Sequence, residues 1–164
     1  MEQKKKMPLE GIRVVELATV VAAPTASRVL CAFGAEVIKV ETRIGDEMRR
    51  AGEFEMVVCE DETLHAAYPG LGYAHFSGFG PKGPDAAKPG FDSTAFWLRS
   101  GPMADWQAPG SFPFTPTYAF GDMATSSAFL SGILMALIGR ESTGMGTFVS
   151  TSLFASGLWC NAVG

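Results

Sequence analysis

The period of the apolar positions changes several times along the chain, and each change marks a predicted element. Gly11 to Leu17, GIRVVEL, leaves a turn and is rich in β-branched residues, which predicts a first strand. Pro24 suits the first turn of a helix reaching about Phe33, where Gly34 stops it. Ala35 to Glu41, AEVIKVE, reads as a second strand. A strand, helix and strand joined by so short a crossover predict parallel pairing in a doubly wound α/β sheet. Residues 51–63 are acidic and weakly patterned. Tyr73-Ala74-His75-Phe76 predicts a third strand, and 78–90 is a Gly/Pro-rich loop. Asp92 to Arg99 predicts a short helix, and residues 101–118, with four prolines, an extended loop. No internal repeat is visible.

The longest apolar run, Met123 to Gly139, contains no charge and is dominated by Ala, Leu, Ile and Met, so it predicts a buried helix. Asp122 opens it and is placed at its N-cap, where free N–H groups and the helix dipole favour an ionised carboxylate. Two roles fit that position. Asp is among the commonest N-caps, and an oriented carboxylate at the edge of a core can also attack an activated acyl group. Beyond the helix, Thr147 to Ser152 predicts a strand that leads into a further helix ending apolar at Ala162-Val163-Gly164. Ser150, Thr151, Ser152, Ser156 and Asn161 argue against a membrane span there, so the expectation is no membrane and a partner subunit or further chain covering that end.

The composition, 47% hydrophobic and 18% charged over 164 residues, fits a single globular domain with its own core. A net charge of −4 argues against a nucleic-acid footprint. Lys4-Lys5-Lys6 is followed by Met7-Pro8-Leu9-Glu10 rather than an apolar stretch, so it reads as a solvated tail and not a signal peptide. Cys31, Cys59 and Cys160 are odd in number and without CxxC spacing, and His65 and His75 have no ligand-like neighbours. The expectation is therefore no metal, no disulfide and a reducing cytoplasm. The turn after the first strand, Ala18 to Pro24, holds no glycine, so the dinucleotide fingerprint is absent. Small residues at Ala22 and Ala23 either admit a ligand to the backbone or let the helix pack closely on the sheet.

Three ordered blocks resemble the family III CoA-transferases: PLEGIRVVELATVVAAPTASRVLCAFGAEVIKVETRIGDEMR at 8–49, YPGLGYAHFSGFGPKGPDAAKPGFDS at 68–93, and GDMATSSAFLSGILMALIGRESTGMGTFVSTSLFASGL at 121–158. The resemblance implies a Rossmann-like parallel sheet with flanking helices, incomplete relative to the full family fold. Family segments between the first two blocks and the whole second domain are not matched, which implies an internal deletion around 50–63.

The same resemblance places Asp122 at the family's catalytic aspartate. There the carboxylate attacks an acyl-CoA thioester to give a mixed anhydride, and the released CoA thiolate forms an aspartyl-CoA thioester. An acceptor carboxylate attacks that thioester and leaves as the new acyl-CoA. The implied substrates are an acyl-CoA and a small carboxylic acid. Coenzyme A enters as a substrate thioester, with no tightly bound cofactor, and the implied assembly is a homodimer. Val20, Val21 and Ala22 match the backbone that lies along CoA. Arg43 is the nearest candidate for its phosphates, ahead of Arg49, or else an ordinary surface charge, since the position after Glu41 is Thr42. Gly78-Phe79-Gly80 either shapes the floor of the site or forms a tight turn. Racemases of the family carry a Gly-His-Asp triplet, which here is Gly90-Phe91-Asp92, so transfer is expected over racemisation. The Phe112-Pro113-Phe114-Thr115-Pro116 approach resembles relatives that handle aryl or branched 2-hydroxy acids. The alternative to a transferase is an inactive remnant that binds CoA or a full-length partner.

Overall fold

The computed structural model of the protein describes residues 6–41, 43, 45, 68–115 and 117–162. The acidic stretch 51–63, the expected deletion at 50–63, and Thr42, Arg49, Cys59 and His65 lie outside them. The chain divides into two compact units, residues 1–59 and 60–164, where composition leads to the expectation of one domain.

The first unit is a β-α-β module. Strand β1 (Arg13–Glu16) pairs in parallel with β2 (Glu36–Lys39), with Arg13 opposite Glu36 and Glu16 opposite Lys39. Helix α1 (Ala22–Ala32) connects them and buries Ala22, Ala23, Ala26 and Leu30. Its stop is Gly34, at φ +102, a conformation a side chain disfavours; a Cβ there would also strike the Met7 side chain. The inward face of this sheet carries charged residues beside Val14 and Val37. Glu16 is fully buried, the Lys39 ammonium lies 3.3 Å from Glu41, and Val15 and Ile38 face outward.

The second unit holds the other parallel pair, β3 (Tyr73–Ser77) with β4 (Phe148–Ser152). Between them run α2 (Asp92–Arg99), α3 (Pro102–Asp105) and α4 (Phe120–Thr143), and α5 (Leu153–Asn161) follows β4 directly. The α/β class and parallel pairing therefore stand. Among the described residues, however, the strands form two separate two-stranded sheets rather than one continuous sheet, because β3 takes β4 as its partner across the long helical crossover. Helix α2 is wound with the wide π-type spacing rather than as an ordinary α-helix, a geometry frequent near functional positions. It supplies Ala95, Phe96 and Trp97 to the core, where they meet Leu153 and are flanked by Phe76, Phe79, Met103, Ala124 and Cys160. Edge-on ring contacts at 5.5 Å (Phe96–Trp97) and 5.4 Å (Trp97–Trp106) fix that cluster.

Helix α4 starts three residues before the uncharged run and extends past Gly139, because Arg140 and Glu141 sit on its exposed last turn. It closes at Gly144, φ +68, whose N–H donates to the Arg140 carbonyl at 2.8 Å. Its most apolar 18-residue window has a mean hydropathy of 1.4, and the helix is long and apolar enough to cross a membrane. Here it packs on α2, β4 and α5 but buries only Gly121, Thr125, Ser126 and Phe129, with Met135 and Ile138 exposed. The expected buried helix is thus buried on one side of its first half. Ser152 ends β4 and opens α5 at once, its Oγ accepting the Ala155 N–H at 3.1 Å.

Candidate active site

Asp122 is not the N-cap of α4. Ala119 occupies that position in a left-handed conformation, φ +56, which turns the proline-rich loop into the helix three residues early and leaves Asp122 in the third helical position. The free N–H groups of the first turn are met instead by Asp92 from α2, whose Oδ1 accepts the Asp122 N–H at 2.9 Å. The start of α2 is itself held by Thr94, whose Oγ1 accepts the Phe91 N–H at 3.0 Å.

The two carboxyl groups have different environments. Burial first, and the neighbouring Asp92 charge second, together push Asp122 up to about 7. Burial also raises Asp92, but the backbone N–H groups of Asp122 and Gly121 work against that rise. The Asp122 carboxyl receives no hydrogen bond from any described residue. It is thus a half-buried, uncommitted carboxyl beside one that is fully engaged.

The Gly78-Phe79-Gly80 segment is a tight turn at the carboxyl end of β3. Gly80 sits at φ +91 with its N–H on Ser77 Oγ at 2.9 Å, and the Gly78 carbonyl accepts the Phe154 N–H at 2.9 Å. A Cβ on Gly78 would come 2.5 Å from Gly90 Cα, so both positions need glycine for the backbones to touch. Phe79 packs into the core, its ring 6.4 Å from that of Phe154. The second unit therefore links Gly78–Gly80, Gly90–Asp92 and Asp122 through successive contacts.

Val20, Val21, Ala22 and Arg43 belong to the first unit. Ala22 is buried, the N-cap Val21 makes no side-chain capping hydrogen bond, and Arg43 is exposed. His75 is buried on β3, its Nδ1 3.4 Å from Ser150 Oγ. Among the described residues no group of three His, Cys, Asp or Glu side chains is arranged to hold a metal.

Residues 9–61 and 50–163 match the CoA-transferase family III. The chain belongs to that family. Val20, Val21, Ala22, Arg43, Gly78, Phe79, Gly80 and Asp122 all fall inside the matched segments. Among curated relatives, the (R)-2-hydroxy-4-methylpentanoate CoA-transferase of Clostridioides difficile is 30% identical, over 93% of this chain and 52% of the relative. The cinnamoyl-CoA:phenyllactate CoA-transferase of Clostridium sporogenes is 29% identical, over 97% and 52%. Among solved structures, a CaiB/BaiF family protein from Brucella suis superposes with a TM-score of 0.84 at 27% identity, over 97% of this chain and 56% of that one. The chain spans about half the length of the curated relatives it matches.

Sequence reasoning missed Asp92 as the residue that meets the start of α4 beside Asp122. Its signal was the Gly90-Phe91-Asp92 triplet, which draws attention to the missing histidine and away from the acid beside it. Two local predictions follow from the geometry. Val20 holds φ +71, a costly conformation for a β-branched residue. Val20→Gly is expected to raise stability by about 1 kcal/mol in urea unfolding. Asp122, raised in the fold, favours its protonated form there. The stability this contributes is complete below the ordinary carboxylate range near pH 4 and is lost as pH rises through about 7. Asp122→Asn is therefore expected to stabilise the chain at pH 8 by about 2 kcal/mol, after allowance for solvent screening, and to change little at pH 4.

Proposed function

We propose that the chain acts in CoA transfer from an acyl-CoA thioester to a small carboxylic acid, with Asp122 as the covalent acceptor and a branched or aryl 2-hydroxy acid as the acceptor substrate. The observation that carries this is the Asp122 carboxyl, half-buried at a helix start and without a hydrogen bond from any described residue, in a family III chain. An Asp122 oxygen attacks the thioester carbonyl, the C–S bond breaks, and a mixed anhydride and CoA thiolate result. The thiolate attacks the aspartyl carbonyl, releasing the donor acid as its carboxylate and leaving an aspartyl-CoA thioester. The acceptor carboxylate then displaces the thiolate to form a second anhydride. Return of the thiolate to the acceptor's acyl carbon releases the new acyl-CoA and restores Asp122. Every step conserves charge, and none calls for a proton donor or a metal.

In this reading the backbone at Val20, Val21 and Ala22 and the Arg43 guanidinium are CoA contacts, Gly78-Phe79-Gly80 forms the floor beside Asp122, and the protein is a homodimer. The 2-hydroxy-acid class is supported by the two clostridial relatives, an (R)-2-hydroxy-4-methylpentanoate and a phenyllactate CoA-transferase. A deletion around 50–63 is part of the same reading, supported by the overlap of the matched segments at 50–61. A second reading, binding of CoA or of a full-length partner without turnover, draws on the half-length span. Intact mass after incubation with 2-hydroxyacyl-CoA and cinnamoyl-CoA, with hydroxylamine trapping, tests the two. A hydroxamate on Asp122 is expected. Folded protein that binds CoA yet acquires no adduct would leave the second reading standing.

A further inference from the structure

Two aspartates meet at the start of α4, and they divide the work that a single helix-opening aspartate ordinarily does alone. Ala119 in the N-cap position has no side-chain oxygen to offer the first-turn N–H groups. Had Asp122 turned back onto those groups, its lone pairs would be occupied. Asp92 arrives from another element and accepts the Asp122 N–H at 2.9 Å. Its own placement is fixed on three sides. Thr94 ties the α2 start through Phe91, and Gly90 lies against Gly78. Gly121 leaves the space that a Cβ, 2.5 Å from Asp92 Oδ1, would fill.

We propose that Asp92 is a positioning residue for Asp122: its carboxylate takes over the capping of α4, fixes the Asp122 backbone, and leaves the Asp122 carboxyl free to receive an acyl group. The proposal rests on Asp122 being the acyl acceptor. The electrostatic consequence is that the Asp92 charge opposes ionisation of Asp122. Among the described residues of the second unit, Asp92 is the charge that acts on Asp122. β4 and α5 contain none, Arg99 on α2 is turned to Asp85 at 3.1 Å, and Arg140 and Glu141 lie in the last turn of α4.

The test uses the full chain labelled with 13C-aspartate, following the Asp122 Cγ resonance against pH, together with the rate of acyl-adduct formation. Asp92→Asn keeps an acceptor oxygen and loses the charge; Asp92→Ala loses both. Asp92→Asn is expected to move the Asp122 titration down by about one pH unit with adduct formation retained. Asp92→Ala is expected to move it similarly, to slow adduct formation about 100-fold, and to expose the Gly121 and Asp122 amides to hydrogen exchange. An unmoved titration in Asp92→Asn, or an unchanged adduct rate in Asp92→Ala, overturns the proposal. Should Asp92→Ala not fold, the Asp92→Asn titration alone decides. If the unsubstituted chain forms no adduct while its Asp122 titration and amide exchange still answer to Asp92, the acyl-acceptor reading fails and the positioning of Asp122 stands.

Discussion

Asp122→Asn is expected to lose acyl-adduct formation by about 1000-fold or more, with the fold retained. The amide matches the carboxylate in size and presents no anionic oxygen, so it removes the nucleophile and little else. Because burial and Asp92 hold the Asp122 carboxyl near 7, the unsubstituted chain should form its adduct faster as pH rises, reaching half its maximum rate near that value. The same burial that hinders ionisation leaves the ionised form poorly solvated and therefore a stronger nucleophile. Rates of adduct formation by rapid-quench mass spectrometry from pH 5.5 to 8.5 read both effects. A flat pH profile, or an Asp122→Asn chain that still acquires hydroxamate, would place the nucleophile elsewhere.

That substitution should also stabilise the chain at alkaline pH. A residue whose replacement raises stability while removing reactivity is a common mark of a functional position, since stability alone would not select a raised, uncapped carboxyl there.

The sequence carried the elements of this fold well where the pattern was local. The two β-strands flanking Pro24, the third strand at Tyr73, the helix after Asp92 and the long helix all appear within a few residues of their expected bounds. What it did not carry was set by contacts distant along the chain. The start of α4 depends on a left-handed Ala119 and on an acceptor thirty residues upstream, and neither leaves a mark in the apolar period of 123–139. Glu16 and Lys39 likewise lie opposite each other on the buried face with Val14 and Val37, while Val15 and Ile38 pair on the exposed one, a choice of face that the alternating pattern leaves open. Asp122 was legible because a carboxylate next to an uncharged helix stands out. Asp92 was not, because an acid at the start of a short helix is ordinary.

Gly121→Ala is expected to destabilise the second unit by about 3 kcal/mol, the largest effect of any methyl addition in α4. Alanine is ordinarily the better helix former by about 1 kcal/mol, so propensity points the other way. Packing decides the sign. A Cβ at Gly121 would drive into the Phe96 ring, which is fully buried against Trp97, and would come 2.5 Å from Asp92 Oδ1. Neither neighbour can yield cheaply, since moving the ring disturbs the core and moving the carboxylate uncaps the helix. Gly139, in the same helix, has open space where its Cβ would stand, and Gly139→Ala should instead add about 0.5–1 kcal/mol. Urea unfolding of the two variants, followed by tryptophan fluorescence, separates propensity from packing. In Gly121→Ala the Asp122 titration should also fall toward the ordinary carboxylate range, because displacing Asp92 removes the charge that opposes ionisation. Equal midpoints for the two variants would mean that the start of α4 is not packed on Phe96 and Asp92 as described. The Asp92–Asp122 pair would then lose its structural basis.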